Sequence, residues 1–280
     1  MNRTTLITGA SGFIGRHVLN FLIEKQVKVI VIIRLGTEQE FEKIKGIERI
    51  ITTSDIFSEN VNWWMESCSG VDTLIHLAWY AKAGEYLNSE QNMDCLIGSL
   101  QMIKGATKAG IRKFIGIGTC FEYNFGKEKL SVNSLLNPTT FYAGAKVSLF
   151  YALSQYCLLK KIDFVWCRIF YLYGEGENEK RFVAFLHSKL AEGEIAELSS
   201  GNQIRDFLDV KNAAKMIVDV SLSNKIGAIN ICSGIPITIR QFAEKIADGY
   251  GRRDLLKFGV RPDNSTDPEY VVGIVDDFFK

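Results

Sequence analysis

Proline is scarce in this chain, four residues in 280, and Pro236, Pro262 and Pro268 all fall in its C-terminal part. With so few breakers before them, the first two thirds can run as uninterrupted elements, and the end of the chain is the loop-rich region. Histidine is scarcer still: His17, His76 and His187 are far apart, and none sits at ligand spacing such as His-Glu-x-x-His. That excludes the usual transition-metal centres, so no metal site is expected. The six cysteines, Cys68, Cys95, Cys120, Cys157, Cys167 and Cys232, include no Cys-x-x-Cys pair. They read as reduced, mostly buried thiols of a cytoplasmic protein. An excess of charge of one sign is also missing, 33 basic against 32 acidic residues, which argues against a nucleic acid or membrane-surface partner. Apolar runs such as Val29 to Ile33 are far short of a membrane span. A strand-like segment begins at Thr4 and leaves no room for a signal peptide, so a soluble, cytoplasmic protein is expected. What is present is 47% hydrophobic residues, enough for a sizeable core.

Strand and helix signals alternate. Thr4 to Thr8 reads as a strand, and Ile14, Val18, Phe21 and Leu22 mark one face of a following helix. Val27 to Ile33 is nearly all apolar, as in a strand covered on both faces. Further strands are predicted at Ile50 to Thr52, Thr73 to Leu77, Phe114 to Ile117 and Phe164 to Cys167, with helices at Leu87 to Ala109 and Phe141 to Leu159. This is the pattern of an α/β fold: a Rossmann-type, doubly wound parallel sheet with helices on both faces. After Phe170 the rhythm loosens, with helices near Phe182 to Glu192, Lys211 to Leu222 and from Ile239, and a strand at Ala228 to Cys232. The expected organisation is a dinucleotide-binding domain over 1–170, with 210–232 returning to it. A smaller α/β substrate lobe is then made from 171–209 and 233–280.

Between the first strand and first helix lies Gly9-Ala10-Ser11-Gly12-Phe13-Ile14-Gly15. Gly9 can make the tight turn, Gly12 lets backbone N–H groups approach a pyrophosphate, and Gly15 lets helix and strand pack closely. The positive end of the helix dipole then faces the phosphates, so Ser11, Phe13 and Ile14 are candidate cofactor contacts with the glycines. The second strand ends in Arg34, and no carboxylate follows until Glu38. A carboxylate there would hold the ribose of NAD, whereas Arg34, assisted by Arg16, suits a 2′-phosphate. NADP is therefore favoured, with NAD possible, and Asp55 after the third strand is a candidate adenine partner.

Tyr142-Ala143-Gly144-Ala145-Lys146 places a phenol and an ammonium on one helix face. The cation should lower the phenol pKa from its reference of about 10 and can also hold the nicotinamide ribose. Thr119, two residues past the predicted fifth strand, would point from the carboxyl edge of the sheet into the cofactor crevice. Thr119 can donate to a substrate carbonyl while Tyr142 transfers a proton.

With these motifs in place the chain resembles the extended short-chain dehydrogenase/reductase family. The likeness extends to His76-Leu77-Ala78-Trp79, to Arg168-Ile169-Phe170-Tyr171-Leu172-Tyr173-Gly174 and to Arg205-Asp206-Phe207-Leu208-Asp209-Val210. The resemblance implies a nucleotide-sugar substrate, with Leu77, Ala78, Trp79 and Ile56 along the dinucleotide and Arg205 at the substrate diphosphate. It also implies a homodimer through the helices near Asn88 to Lys108 and Tyr142 to Leu159. Tyr80, Cys120, Phe121, Tyr123, Arg181 and Arg261 are the further substrate candidates. Dehydratases of the family carry Asp-Glu after the Thr, where this chain has Cys120-Phe121, and Glu122 reads as structural. The expected activity is reduction of a dTDP- or CDP-linked 4-keto-6-deoxyhexose, with a nucleotide-sugar 4-epimerase as the alternative and a non-catalytic NADP sensor or scaffold behind it. Family members usually continue with a Gly-Trp turn and a final helix, whereas this chain stops at Lys280. A more open substrate lobe, or one covered by another chain, is expected.

Overall fold

The computed structural model describes residues 3–264 and 267–279. β1 (Thr4–Thr8) leads through the glycine turn into α1 (Gly15–Glu24). Then come β2 (Lys28–Arg34), α2 (Glu38–Glu42), β3 (Ile47–Thr53), α3 (Val61–Ser67) and β4 (Thr73–His76). A 3-10 turn at Tyr86–Asn88 precedes α4 (Gln91–Ala109), which begins later than its apolar pattern suggests. β5 (Lys113–Thr119), α5 (Phe141–Lys160) and β6 (Asp163–Ile169) complete the first part. α2 and α3 are short and were not predicted. The local signal for α3 is Asn60, whose side chain accepts from the N–H groups of Asn62 and Trp63.

The seven-stranded sheet has the order Gly227–Ile231, β6, β5, β4, β1, β2, β3, and all its pairs are parallel. The order reverses between β1 and β4, so a crevice opens at their carboxyl ends. β2 shows why its near-continuous apolar run was needed. Val29, Val31 and Ile33 join the core beside Val18, Leu19 and Leu22 of α1, whereas Ile30 and Ile32 join the core on the other face. That second face is covered by Trp64 of α3, Met102 and Ile103 of α4, and Leu149 and Leu153 of α5.

α6 (Phe182–Glu192), α7 (Val210–Leu222) and α8 (Ile239–Asp248) follow. α7 packs its Ala213, Ala214 and Ile217 into the α1 side of the sheet, and the strand Gly227–Ile231 pairs with β6, so this segment returns to the sheet. The buried ammonium of Lys113 on β5 donates to the carbonyls of Val220 (2.9 Å) and Ser223 (2.7 Å), satisfying the free carbonyl end of α7. α6 and α8 enclose a separate small core of Leu186, Leu190, Ala243, Ala247, Leu198 and Leu256. Short strand pairs border it: Tyr171–Tyr173 with Phe207–Asp209, and Ala196–Glu197 with Leu256–Lys257.

Candidate active site

One cleft of about 1320 Å³ runs from Arg34 at the end of β2, across the glycine turn, to Phe182 and Phe207. Its floor at the turn is set by backbone geometry. Gly9 has φ +74°, and a Cβ there would lie 2.7 Å from the Ala78 nitrogen. A Cβ on Gly15 would lie 2.0 Å from the Gly9 oxygen. Any side chain at either position would force β1, α1 and the segment after β4 apart. No side chain caps the start of α1, and since the Arg16 and His17 N–H groups turn back to the Gly12 and Ile14 carbonyls, the backbone left for an anion is that of Phe13, Ile14 and Gly15, all on the cleft. Ser11, Gly12, Phe13, Ile14, Asp55, Ile56, Leu77, Ala78 and Trp79 all line this part of the cleft. A dinucleotide fits such a cradle: glycine backbone and helix N-terminus for the pyrophosphate, flanked by apolar walls.

The segment after β4 is held from below. Buried His76 bonds Thr8 Oγ1 (2.8 Å) through Nδ1 and Ser99 Oγ (2.9 Å) through Nε2. Burial, with Lys146 nearby, lowers its pKa to about 3, so the ring is neutral and serves as a spacer. Asp55 reaches the cleft, but its carboxylate accepts from Phe57 N (3.0 Å) and Ser58 Oγ (2.6 Å). Arg34 lines the cleft together with Thr37. Arg16 does not: its guanidinium folds back onto the carbonyls of Ser11 (3.2 Å) and Gly12 (3.4 Å).

Thr119 is the last residue of β5, not two residues beyond it, and it stands on the same wall as Tyr142 and Lys146. Its side chain accepts from Phe121 N (3.2 Å) and lies near enough to Tyr142 to act on its phenol. Glu122 holds Thr119 from behind, accepting its backbone N–H at 2.9 Å. The Tyr142 ring lies edge-on to Tyr86, with centroids 4.9 Å apart. Lys146 is almost wholly buried, donates to the Ile117 carbonyl (2.8 Å) and sits 3.6 Å above the Trp79 ring.

The electrostatics correct one expectation. Lys146 does not pull the phenol down. Its ammonium is turned to Ile117 and Trp79, 5.9 Å from the Tyr142 ring centre, and burial lowers its own pKa to about 7. Burial, reinforced by Tyr86, Glu122 and Cys120, raises Tyr142 above its ordinary range, with Thr119 pulling weakly the other way. At neutral pH Tyr142 therefore carries its proton.

A stability effect follows from Lys146. The unfolded chain keeps this proton up to about pH 10.5, the folded protein only up to about 7. Unfolded molecules bind more protons in that window, so stability rises as pH rises through it. The slope is at most about 1.4 kcal/mol per pH unit. Thermal melts from pH 7 to 9, where the buried thiols do not yet oppose it, should climb in the wild type and be flatter in Lys146→Met. Equal slopes would show that the lysine is not desolvated.

The substrate candidates divide. Tyr80, Cys120, Phe121 and Arg181 line the cleft. Tyr123 does not. It is fully buried, its hydroxyl donates to Asn230 Oδ1 (2.7 Å), and its ring belongs to the core with Leu130 and Val271. Arg205 is also withdrawn: it is 1% exposed, donates to Asp267 Oδ2 (2.6 Å) and lies behind the Tyr171 ring. Asp206 beside it accepts from Ser233 N, Gly234 N and Gly273 N, tying the lobe together, so of Arg205-Asp206-Phe207 it is Phe207 that lines the cleft. Arg261 is exposed outside the cleft, its guanidinium 5.3 Å from the Phe185 ring centre. Of the cleft residues that went unread, Tyr86, Tyr171 and Glu177 bear on its chemistry. Tyr86 had no motif to mark it, and Tyr171 stood in the segment Arg168 to Gly174 without a role of its own. Glu177 lines the cleft half-buried, and burial raises its pKa to about 7.

A glycine cradle at the switch point of a parallel sheet, with Thr, Tyr and Lys beside it, defines a dinucleotide-dependent α/β enzyme. Residues 5–232 match the model of the NAD dependent epimerase/dehydratase family. The chain belongs to this family, an extended short-chain dehydrogenase/reductase group of NAD-dependent oxidoreductases and epimerases. It is 28% identical over 270 residues to dTDP-6-deoxy-L-talose 4-dehydrogenase (NAD(+)) of Aggregatibacter actinomycetemcomitans, covering 96% of this chain and 98% of the relative. The fold matches UDP-N-acetylglucosamine 4-epimerase from Methanobrevibacter ruminantium M1 with a TM-score of 0.86, at 23% identity, over 100% of this chain and 91% of that one. It also matches the dTDP-glucose 4,6-dehydratase DesIV from Streptomyces venezuelae, solved with NAD and TYD, with a TM-score of 0.82 at 20% identity, over 97% and 88%. Among the described residues, no helix is long and apolar enough to cross a membrane.

Proposed function

We propose that the protein reduces the 4-keto group of a nucleotide-linked 6-deoxyhexose, with the sheet domain (1–170 and 210–232) holding the cofactor and segments 171–209 and 233–280 holding the sugar nucleotide. The observation that carries this reading is the meeting of Thr119, Tyr142 and Lys146 on one wall of the cleft, with a phenol that burial keeps protonated. A bound nicotinamide dinucleotide supplies the hydride. Tyr142 gives its proton to the C4 oxygen, so the ketone becomes a secondary alcohol, and Thr119 orients that oxygen. Lys146 holds the nicotinamide ribose and keeps Trp79 in place beneath its ammonium. Cys120 and Phe121 stand directly after Thr119 and supply neither the acid nor the base that a 4,6-elimination needs. The relative's name describes a 4-dehydrogenase of a dTDP-linked 6-deoxy sugar, the same redox pair taken in the other direction.

The absence of a carboxylate at the end of β2, with Arg34 in its place on the cleft, supports NADP as the preferred cofactor. The NAD(+) in the relative's name stands on the other side. Both points are tested in one assay, with a dTDP-linked 4-keto-6-deoxyhexose and either NADPH or NADH. A reductase consumes reduced cofactor stoichiometrically. Interconversion of sugars without net consumption would mark a 4-epimerase, and neither outcome would leave a sensor or scaffold. Arg34→Ala should weaken NADPH binding by about ten-fold or more, the worth of a charged hydrogen bond, and leave NADH unchanged. An unaffected NADPH affinity would remove the case for NADP.

Homodimerisation is part of the same proposal. Met93 and Ile97 on the outer face of α4, and Tyr151 and Leu158 on α5, are exposed apolar side chains on neighbouring helices. A second copy is the expected cover. Sedimentation should give a dimer that Ile97→Glu with Tyr151→Glu converts to monomer, whereas a wild-type monomer would end the idea.

A further inference from the structure

Tyr171 opens the short strand Tyr171–Tyr173, which runs parallel to Phe207–Asp209 and places Tyr171 opposite Phe207. Its ring is fixed from several sides. The edges of Phe121 and Phe207 each lie with centroids 6.1 Å away, and the Arg205 guanidinium sits 5.2 Å from the ring centre. The residue lines the cleft, yet its hydroxyl oxygen is buried and has no hydrogen-bond partner in the protein. Buried hydroxyls are normally paired, because leaving one unmade costs stability without return. A rigidly held, unpaired phenol on a cleft wall is therefore a group waiting for a ligand atom.

The position of the hydroxyl indicates which part of a ligand it meets. The Tyr171 ring meets Phe121, two residues after Thr119, and Thr119, Phe121, Tyr142 and Tyr171 all line the cleft, so Tyr171 borders the stretch that begins at Thr119 and Tyr142. Phe207, paired with Tyr171 across the two short strands, lines the cleft as well. A ligand there is the part that undergoes reaction at Tyr142, which under the proposed function is the hexose. Burial raises the Tyr171 pKa above its ordinary range while Arg205 pulls it down. The group is thus a neutral phenol at physiological pH, able to donate and to accept, with a cation behind the ring that strengthens it as a donor.

We infer that the Tyr171 hydroxyl is the hydrogen-bond partner of a ring hydroxyl of the bound hexose, which makes Tyr171 a specificity-determining residue for the sugar. The inference rests on the nucleotide-sugar reading of the cleft. Phe207 serves the aromatic wall beside it, and Arg205 acts on the sugar only through the Tyr171 ring.

The test is Tyr171→Phe in the full chain, which keeps the ring and removes one oxygen. Calorimetric titrations with dTDP, CDP and UDP, and with the corresponding nucleoside diphosphate glucoses, are run on the wild type and the variant with cofactor present. The variant should bind each free nucleoside diphosphate as the wild type does and bind the sugar-bearing ligand about ten-fold more weakly. Without ligand it should melt at a higher temperature than the wild type, because the unpaired hydroxyl is gone. Equal affinity of both proteins for the sugar-bearing ligand would overturn the inference and leave the proposed function standing. An equal loss for the free nucleoside diphosphate would also overturn it, since the hydroxyl would then serve the nucleotide. A wild type that binds none of the sugar nucleotides defeats the proposed function, and the inference falls with it.

Discussion

Tyr142→Phe is expected to lower kcat by about 10²- to 10⁴-fold, the usual contribution of a positioned proton donor, while cofactor affinity stays close to wild type. Phenylalanine keeps the ring against Tyr86 and Trp79, so the packing that surrounds the site survives. What is lost is the one proton held beside Thr119. The phenol is raised by burial, so near neutral pH a reduction finds it already loaded, and the reverse oxidation must first remove the proton. Titration of Tyr142 should therefore leave the reductive rate unchanged across neutral pH, while its loss of a proton makes the oxidative rate climb as pH increases. Steady-state rates in both directions, with fluorescence titration of the cofactor, check the pair of statements. A Phe variant that keeps more than about a tenth of wild-type kcat would show that another group delivers the proton.

The second large effect lies behind the cleft wall that carries Thr119. Glu122 and Arg168 form a wholly buried ion pair, with Arg168 Nε 2.7 Å from Glu122 Oε2. The same carboxylate accepts from the Thr119 backbone at 2.9 Å and from Trp166 Nε1 at 3.0 Å. Arg168 continues the chain to the Tyr123 hydroxyl (3.2 Å), which passes to Asn230, whose amide donates to the Leu130 carbonyl at 2.8 Å. Arg168→Met would strand a carboxylate in the core and cost about 3–5 kcal/mol. That is a large share of the roughly 5–15 kcal/mol by which most proteins are stable. Glu122→Gln combined with Arg168→Met should recover much of the loss, since no charge is then left unpaired. Urea unfolding of the single and double variants measures this. An Arg168→Met loss below about 1 kcal/mol would mean that solvent reaches Glu122.

The two predictions differ in how they are reached. Tyr142 and Lys146 are four residues apart on one helix, so their shared face follows from helix geometry alone. Thr119 ends a strand whose apolar run announces it, and the glycine turn must lie between β1 and α1. The Glu122–Arg168 pair, by contrast, joins residues separated by 46 positions, and Tyr123 meets Asn230 across 107. Such contacts exist only once β5, β6 and the strand Gly227–Ile231 lie side by side. Arg205 was expected at a diphosphate from its motif, but Asp267, 62 residues away, takes its guanidinium. Tyr171 belongs to a segment noted only for its likeness to relatives, and nothing local distinguishes it from Tyr173.

Local chemistry in the sequence thus determined the alternating sheet and helices, the glycine turn between β1 and α1 and the Thr–Tyr–Lys wall, because each depends on spacing within a turn or along one element. The tertiary structure decided which polar groups are buried, which cations are already paired, and therefore that the phenol is raised rather than lowered. Those outcomes depend on desolvation and on partners distant in the chain, and both are properties of the packed molecule rather than of any stretch of residues within it.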